Sequence, residues 1–259
     1  MKAFYRTAAL LALAAPAAHA APVIGLVGDG TLVSFDTDTP SEVTMMAVSG
    51  AGPLVGIDLR PSNNTLVGVT RTNEIVTIDP ATGAATPLST MNTPLPMGDG
   101  PVIVDFNPMA DRLRLMTGTT NHRVDVDTGG VTVDGSLAFE AADMHAGETP
   151  MIAAAAYTNA YGKPEATAMY DIDTTIGALI RQTKPNDGTL AAVGKLGIDL
   201  NDTTPAFDIQ TTADGTNTAW LVALGKLYTV DLETGTATES GTIEGVDGDL
   251  IDIAVMPAP

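Results

Sequence analysis

Leu250-Ile251-Asp252-Ile253-Ala254-Val255 sets one aspartate among large apolar residues. The same word occurs as Ile57-Asp58-Leu59, Val104-Asp105-Phe106 and Phe207-Asp208-Ile209. The aspartates are 47, 103 and 44 residues apart. The long interval spans two repeats, and residues 152–157 stand in its middle without an aspartate. A second word interleaves with the first: alternating apolar residues, then Asp, then a turn. It reads Leu32-Val33-Ser34-Phe35-Asp36, Ile75-Val76-Thr77-Ile78-Asp79, Arg123-Val124-Asp125-Val126-Asp127, Met169-Tyr170-Asp171-Ile172-Asp173 and Leu227-Tyr228-Thr229-Val230-Asp231. Its final aspartates are 43, 48, 46 and 58 residues apart. Thr82-Gly83, Thr128-Gly129 and Thr234-Gly235 follow three of the copies. Alternation marks a strand, and Asp, Thr and Gly supply the turn.

Each inner word precedes a hairpin word except at the two ends. Residues 23–27 lead into the first hairpin with no inner strand before it, and residues 250–255 have no hairpin after them. A ring explains both, because the last strand then completes the first sheet and protects its edge. Repeats near 45 residues match propeller blades. The expected fold is all-β, a five-bladed β-propeller closed by pairing of the C-terminal strand with the N-terminal blade. The blades fall at 249–255 with 23–48, then 54–90, 101–140, 151–196 and 204–245. A six-bladed count is the alternative, with the 58-residue interval hiding a short sheet. Asp29-Gly30, Asp134-Gly135, Asp187-Gly188 and Asp214-Gly215 read as hairpin turns. Ala153–Ala156 favours helix by propensity, but its slot in the repeat makes it a tightly packed inner strand.

Residues 1–20 have the layout of a secretory leader: Lys2 and Arg6, an apolar run from Ala8 to Ala15, and Ala18-His19-Ala20 as a small-x-small cleavage signal. Cleavage is expected between Ala20 and Ala21. Residues 21–259 then form one exported domain, periplasmic or extracellular, with no membrane insertion. Loss of the two leader cations takes the net charge from −19 to −21. Such a surface disfavours nucleic acid and anionic membranes. The chain has no cysteine, so disulfides, thiol nucleophiles and thiolate metal sites are excluded.

Three further stretches carry a resemblance. They are Asn107-Pro108-Met109-Ala110-Asp111-Arg112-Leu113-Arg114, Ala156-Tyr157-Thr158-Asn159, and Pro185-Asn186-Asp187-Gly188-Thr189-Leu190 followed by Val193-Gly194-Lys195-Leu196-Gly197. Together they resemble a bacterial family of exported proteins filed as a domain of unknown function, number 4394. The resemblance covers nearly all of the mature chain and implies a secreted, propeller-like protein. It brings no activity and no catalytic residue.

Four groups of residues could carry chemistry. Asp58, Asp105, Asp208 and Asp252 lie on the innermost strands. Facing the channel, they could hold Ca²⁺ or another divalent cation through oxygen ligands; facing a neighbouring blade, they would accept its backbone hydrogen bonds. Arg112 and Arg114 share one strand face and could clamp an anion bidentately, or pair with Asp111 or Asp125. Asn121, His122 and Arg123 lie close to them in sequence. Tyr157, Asn159, Tyr161 and Lys163 form a polar-aromatic patch in the loop after the fourth inner strand, with Pro185–Asp187 in the same blade. Met144 and His145 are a thin copper motif.

No Gly-x-Ser-x-Gly elbow, phosphate-cradling loop or His pair at metal-ligand spacing is present. The expected function is therefore non-enzymatic. An exported monomer would bind a small molecule, a glycan or a protein, with Arg112, Arg114, Tyr157 and Asn159 as ligand-binding residues. The alternative is a metal-dependent, lactonase-like hydrolase on the channel carboxylates. A third reading is an inert structural component.

Overall fold

The computed structural model describes residues 20–98, 100–201 and 203–257. The expected leader, apart from Ala20, lies outside the described residues. No helix occurs among the described residues; the elements are 21 strands in five sheets. The first blade orders β21 (Leu250–Val255), β1 (Pro22–Val27), β2 (Thr31–Asp36) and β3 (Thr39–Ala47) from centre to rim. The second runs β4 (Leu54–Arg60), β5 (Thr65–Thr70), β6 (Glu74–Ile78), β7 (Ala85–Thr90). The third runs β8 (Ile103–Asn107), β9 (Arg112–Thr117), β10 (Thr120–Asp125), β11 (Gly130–Val133). The fourth runs β13 (Ile152–Tyr157), β14 (Met169–Asp173), β15 (Ala178–Lys184), β16 (Thr189–Lys195), with β12 (Ala138–Phe139) added outside. The fifth runs β17 (Ala206–Thr211), β18 (Asn217–Ala223), β19 (Lys226–Val230), β20 (Ala237–Thr242). This is a five-bladed β-propeller.

The ring closes as the interleaved words require. β21 pairs antiparallel with β1, Val23 opposite Val255 and Gly25 opposite Ile253. Each sheet is sandwiched between two others, so its middle strands are buried on both faces. That is why Thr65–Thr70 and Arg112–Thr117 read as nearly continuous buried runs. Five apolar clusters fill the five joints between blades. The rim strands β7 and β20 are polar and largely exposed. Ala153–Ala156 is strand, buried throughout β13.

The blades also clasp at the rim. The turn between the third and fourth strands of one blade meets the chain leaving the preceding one: Ser49 N–H donates to Gly83 O (2.9 Å), Asn92 N–H to Gly129 O (2.9 Å), Gly135 N–H to Asn186 O (3.0 Å) and Ala237 N–H to Leu196 O (2.9 Å). Gly129 has φ +72, and a Cβ there would run into the Thr90 carbonyl. The Thr-Gly of this turn therefore serves both the left-handed backbone and the close approach.

The structure corrects the hairpin words in two places. In the third blade Asp125, not Asp127, caps the turn, accepting from Asp127 N–H (3.1 Å) and Thr128 N–H (3.2 Å); Asp127 instead binds Arg60. In the fourth blade Asp173 ends the second strand rather than the third. The third strand there ends at Pro185-Asn186-Asp187-Gly188. The long interval before Asp231 thus reflects a copy shifted by one strand, and no sixth sheet is present among the described residues. The extra chain sits in 134–151 and 158–168. The third blade also stops at Val133; Ala138–Phe139 pairs parallel with Thr189 and Leu190 of the fourth. Asp134-Gly135 is consequently an exit from β11 and not a hairpin.

Deleting residues 249–259 removes β21 and leaves the edge of β1 bare. Thermal melting followed by circular dichroism should show loss of the cooperative transition, whereas removing only 257–259 should leave it nearly unchanged.

Candidate functional site

An innermost strand is a sheet edge, and N–H groups along it find no partner in their own blade. Aspartates from the neighbouring blade supply one. Asp252 Oδ2 accepts from Ile57 N–H at 2.9 Å, and Asp58 Oδ2 from Phe106 N–H at 2.6 Å. Asp105 Oδ1 accepts from Tyr157 N–H at 2.9 Å, and Asp208 Oδ2 from Val255 N–H at 2.6 Å. Four of the five joints are tied this way. Gly56 leaves no room for a side chain: a Cβ there would run into the Val104 side chain and lie 2.8 Å from Asp252 Oδ2. The joint from the fourth blade to the fifth, where β13 has alanines, is fastened differently. Asn159 N–H donates to Asn217 Oδ1 (2.8 Å), Asn217 Nδ2 donates back to Asn159 Oδ1 (2.8 Å), and Ala160 N–H donates to Thr211 Oγ1 (2.9 Å).

The same carboxylates face the centre. One oxygen from each of Asp58, Asp105 and Asp208 lies within 4.8 Å of the other two. All three are buried, and with Tyr157, Thr211 and Val255 they line a cavity of about 20 Å³. That is room for about one water-sized occupant. Asp252 does not join the group of three. Burial pushes Asp58 and Asp105 well above the usual carboxylate range; the Asp208 charge adds to the first and the Asp58 charge to the second. Burial also raises Asp252, and lifts Asp208 to about 6 against two backbone N–H groups that favour its ionised form. Like charges this close resist joint ionisation, and a proton or a cation held among them would relieve the repulsion.

A wider groove opens beside this cavity and shares Tyr157 with it. It measures about 410 Å³ and is lined by Asn107, Tyr157, Thr167, Lys184, Pro185, Asn186 and Asp187. Arg114 is buried and does not itself line the groove, but it holds two residues that do. Nη1 of Arg114 binds Asp134 Oδ2 and Asn121 Oδ1, both at 2.7 Å. Nη2 binds Asn186 Oδ1 at 3.0 Å and Nε binds the Tyr157 hydroxyl at 3.2 Å. One guanidinium therefore fixes two of the groove's polar groups. Arg123 grips the same Asp134 with both ends of its fork, at 2.6 and 2.9 Å, and the pair holds the Asp134 carboxyl below its ordinary range despite its burial.

The remaining candidates are placed elsewhere. Arg112 pairs with Asp125 at 3.0 Å and does not line the groove. Asn159 spends its polar atoms on Asn217 and Ala166. Tyr161 and Lys163 are exposed outside the groove. His122 is buried with Nδ1 unpartnered, and burial lowers its pKa. His145 Nδ1 lies 3.0 Å from Glu148, beside an exposed Met144. Lys184 was not singled out from sequence; Asn186 entered only within Pro185–Asp187, and Asp134 only as a turn residue.

The chain belongs to the family described as "Domain of unknown function (DUF4394)", whose model matches residues 31–254. That span reaches from the first blade into β21. Among solved structures it resembles a structural genomics protein of unknown function from Bacteroides thetaiotaomicron, with 16% identity and a TM-score of 0.53. The match covers 89% of this chain and 63% of that one. An auxiliary nutrient binding protein from Bacteroides ovatus gives 12% identity and a TM-score of 0.47, covering 76% of this chain and 55% of its own. The chain thus spans less than two thirds of either. At such identities the likeness is one of fold. No curated protein matches the sequence.

Replacing Asp252 with Ala leaves the Ile57 N–H buried without an acceptor and should cost ~1–3 kcal/mol. Asp252→Asn keeps one acceptor oxygen and should lose clearly less. Urea unfolding of the two variants checks the order.

Proposed function

We propose that this chain is an exported, non-enzymatic binding protein that takes a small hydroxyl-rich molecule or glycan in the groove between its third and fourth blades. The observation that carries this reading is the groove itself. Two of its polar groups, the Tyr157 hydroxyl and the Asn186 amide, are held in advance by a buried guanidinium, which lowers the entropy cost of binding. Amide, hydroxyl, ammonium and carboxylate groups line it, an inventory that can read sugar hydroxyls. The net charge of −19 disfavours polyanions, and the leader-like residues 1–20 support export. Of the residues expected to bind ligand, Tyr157 takes that role directly and Arg114 from beneath.

Isothermal titration of the mature protein against a panel of neutral mono- and oligosaccharides tests this. Asn186→Ala and Lys184→Ala should each weaken any binding about tenfold or more, about 1.4 kcal/mol. Absence of binding across the panel, or binding indifferent to both substitutions, would sink the reading.

The convergence of Asp58, Asp105 and Asp208 favours a second reading, a metal-dependent, lactonase-like hydrolase with Ca²⁺ or another divalent cation on these carboxylates and Asp252 as their strut. The cavity of about 20 Å³ seats an ion but no organic substrate beside it, which is why binding is preferred. Metal content of the purified protein, with and without chelator, decides between them. A stoichiometric ion whose removal lowers the thermal midpoint, together with lactone hydrolysis, would install the second reading. No metal and an unchanged midpoint would remove it.

A further inference from the structure

The face that the fourth blade turns toward the third holds a buried acid that neither reading uses. Asp171 on β14 is 0% exposed. Both of its oxygens lie near Gln182 Nε2, at 3.1 and 3.0 Å. Gln182 Oε1 is buried and has no hydrogen-bond partner, while its Nε2 also lies 3.4 Å from Met116 Sδ. An ionised carboxylate only accepts; a protonated one also donates. A carboxylic acid and a primary amide can thus bond reciprocally, O–H to Oε1 and Nε2–H to the other oxygen. The orphaned Oε1 is the acceptor that such a proton needs, and an ion with a single neutral partner would be costly in so buried a place.

The charged surroundings are few. Arg114 faces the acid from β9 and Asp173 stands on its own strand. β15 contributes the neutral Gln182, and β13 contributes Ala155 in register and Tyr157, whose hydroxyl already sits on Arg114. Burial, with a small addition from Asp173, pushes the Asp171 carboxyl up to about 8 against the opposing pull of Gln182 and Arg114.

We propose that Asp171 is a proton-dependent lock on the joint between the third and fourth blades: protonated, it pairs with Gln182; ionised, it competes with Asp134 for the Arg114 guanidinium. Because Arg114 fixes Tyr157 and Asn186, opening the lock would also loosen the groove. That last consequence rests on the binding reading; the lock itself does not. A raised folded pKa contributes stability that is fully present below the unfolded value, near ~3.9. It is lost as pH rises through about 8.

The experiment is a thermal-midpoint scan from acid to alkaline pH on the full mature chain and on Asp171→Asn, whose amide still pairs with Gln182. The central carboxylates titrate in both proteins, so the difference between the curves isolates Asp171. The wild type should lose several degrees relative to the variant progressively between about pH 4 and about pH 8, and the difference should level off above that. In parallel, ¹³C NMR of Asp-labelled wild type should show one carboxyl resonance titrating near pH 8 that is missing from the variant. Should Asp171→Asn not fold, Gln182→Met must change the pH at which that same resonance titrates, and an unmoved titration would overturn the proposal. Superimposable curves, or an Asp171 carboxyl already ionised at pH 6.5, would overturn the proposal. Failure of every sugar to bind would count against the groove while leaving this titration intact.

Discussion

A hydrogen bond from the edge of one innermost strand to the aspartate of the preceding blade is what turns five separate sheets into one ring. Apolar packing between blades is broad but carries little register. The carboxylate joint specifies it, because an aspartate displaced by one residue would point at a carbonyl or at the neighbouring sheet. Each such bond has an ionised or ionisable acceptor, stronger than a neutral pair, and it satisfies an N–H that the blade alone cannot. The cost is also plain. Placing one aspartate on nearly every inner strand buries carboxyls at the axis, and burial, with neighbouring like charge added, pushes the ionisation of Asp58, Asp105 and Asp252 to higher pH.

The exception clarifies the rule. The fourth inner strand, Ile152–Tyr157, is alanine-rich and sends no carboxylate to the fifth blade. Its joint is made at the mouth of the channel by Asn159, Asn217 and Thr211. Asn159 adopts φ +61, a conformation that asparagine tolerates better than most residues. A fifth aspartate would have added another charge to the cluster. Moving the fastening to neutral amides spares the centre that charge.

Much of this was legible in sequence because the repeat is written in residues with local geometric roles. Asp–apolar alternation located the inner strands, and the unpaired words at residues 23–27 and 250–255 required closure. The blade boundaries fell within a few residues of the observed ones, save for the third, whose assigned end at 140 took in a strand of the fourth. What misled was also local. Asp173 has the same turn chemistry as Asp79 and Asp231, accepting from Thr175 and Ile176 N–H groups, yet it stands one strand earlier in its blade. Turn chemistry reports that a chain reverses, not which strand it has just left. Consequently the pairing of Arg114 with Asn186, 72 positions away, had no trace in either word. The four central aspartates were readable as a ring. Whether they served blade or channel was not, since both roles place an acid at the same position of the same strand.

At the third-to-fourth joint polar groups replace part of the apolar filling. Arg114, Asn121, Asp134, Tyr157, Asp171, Gln182 and Asn186 all meet there, drawn from both blades. A joint of this kind is stabilised less by area than by geometry, since each member must find its partner or leave a buried group unpaired. It is also the joint with the longest insertions on either side, at 134–151 and 158–168, and the groove lined by Asn107, Tyr157 and Asn186 opens there. Polar groups that must be satisfied internally can also be satisfied, in part, by a ligand. The same requirement that makes this joint costly to build therefore makes it the place on the ring where a small polar molecule would find donors and acceptors already aligned.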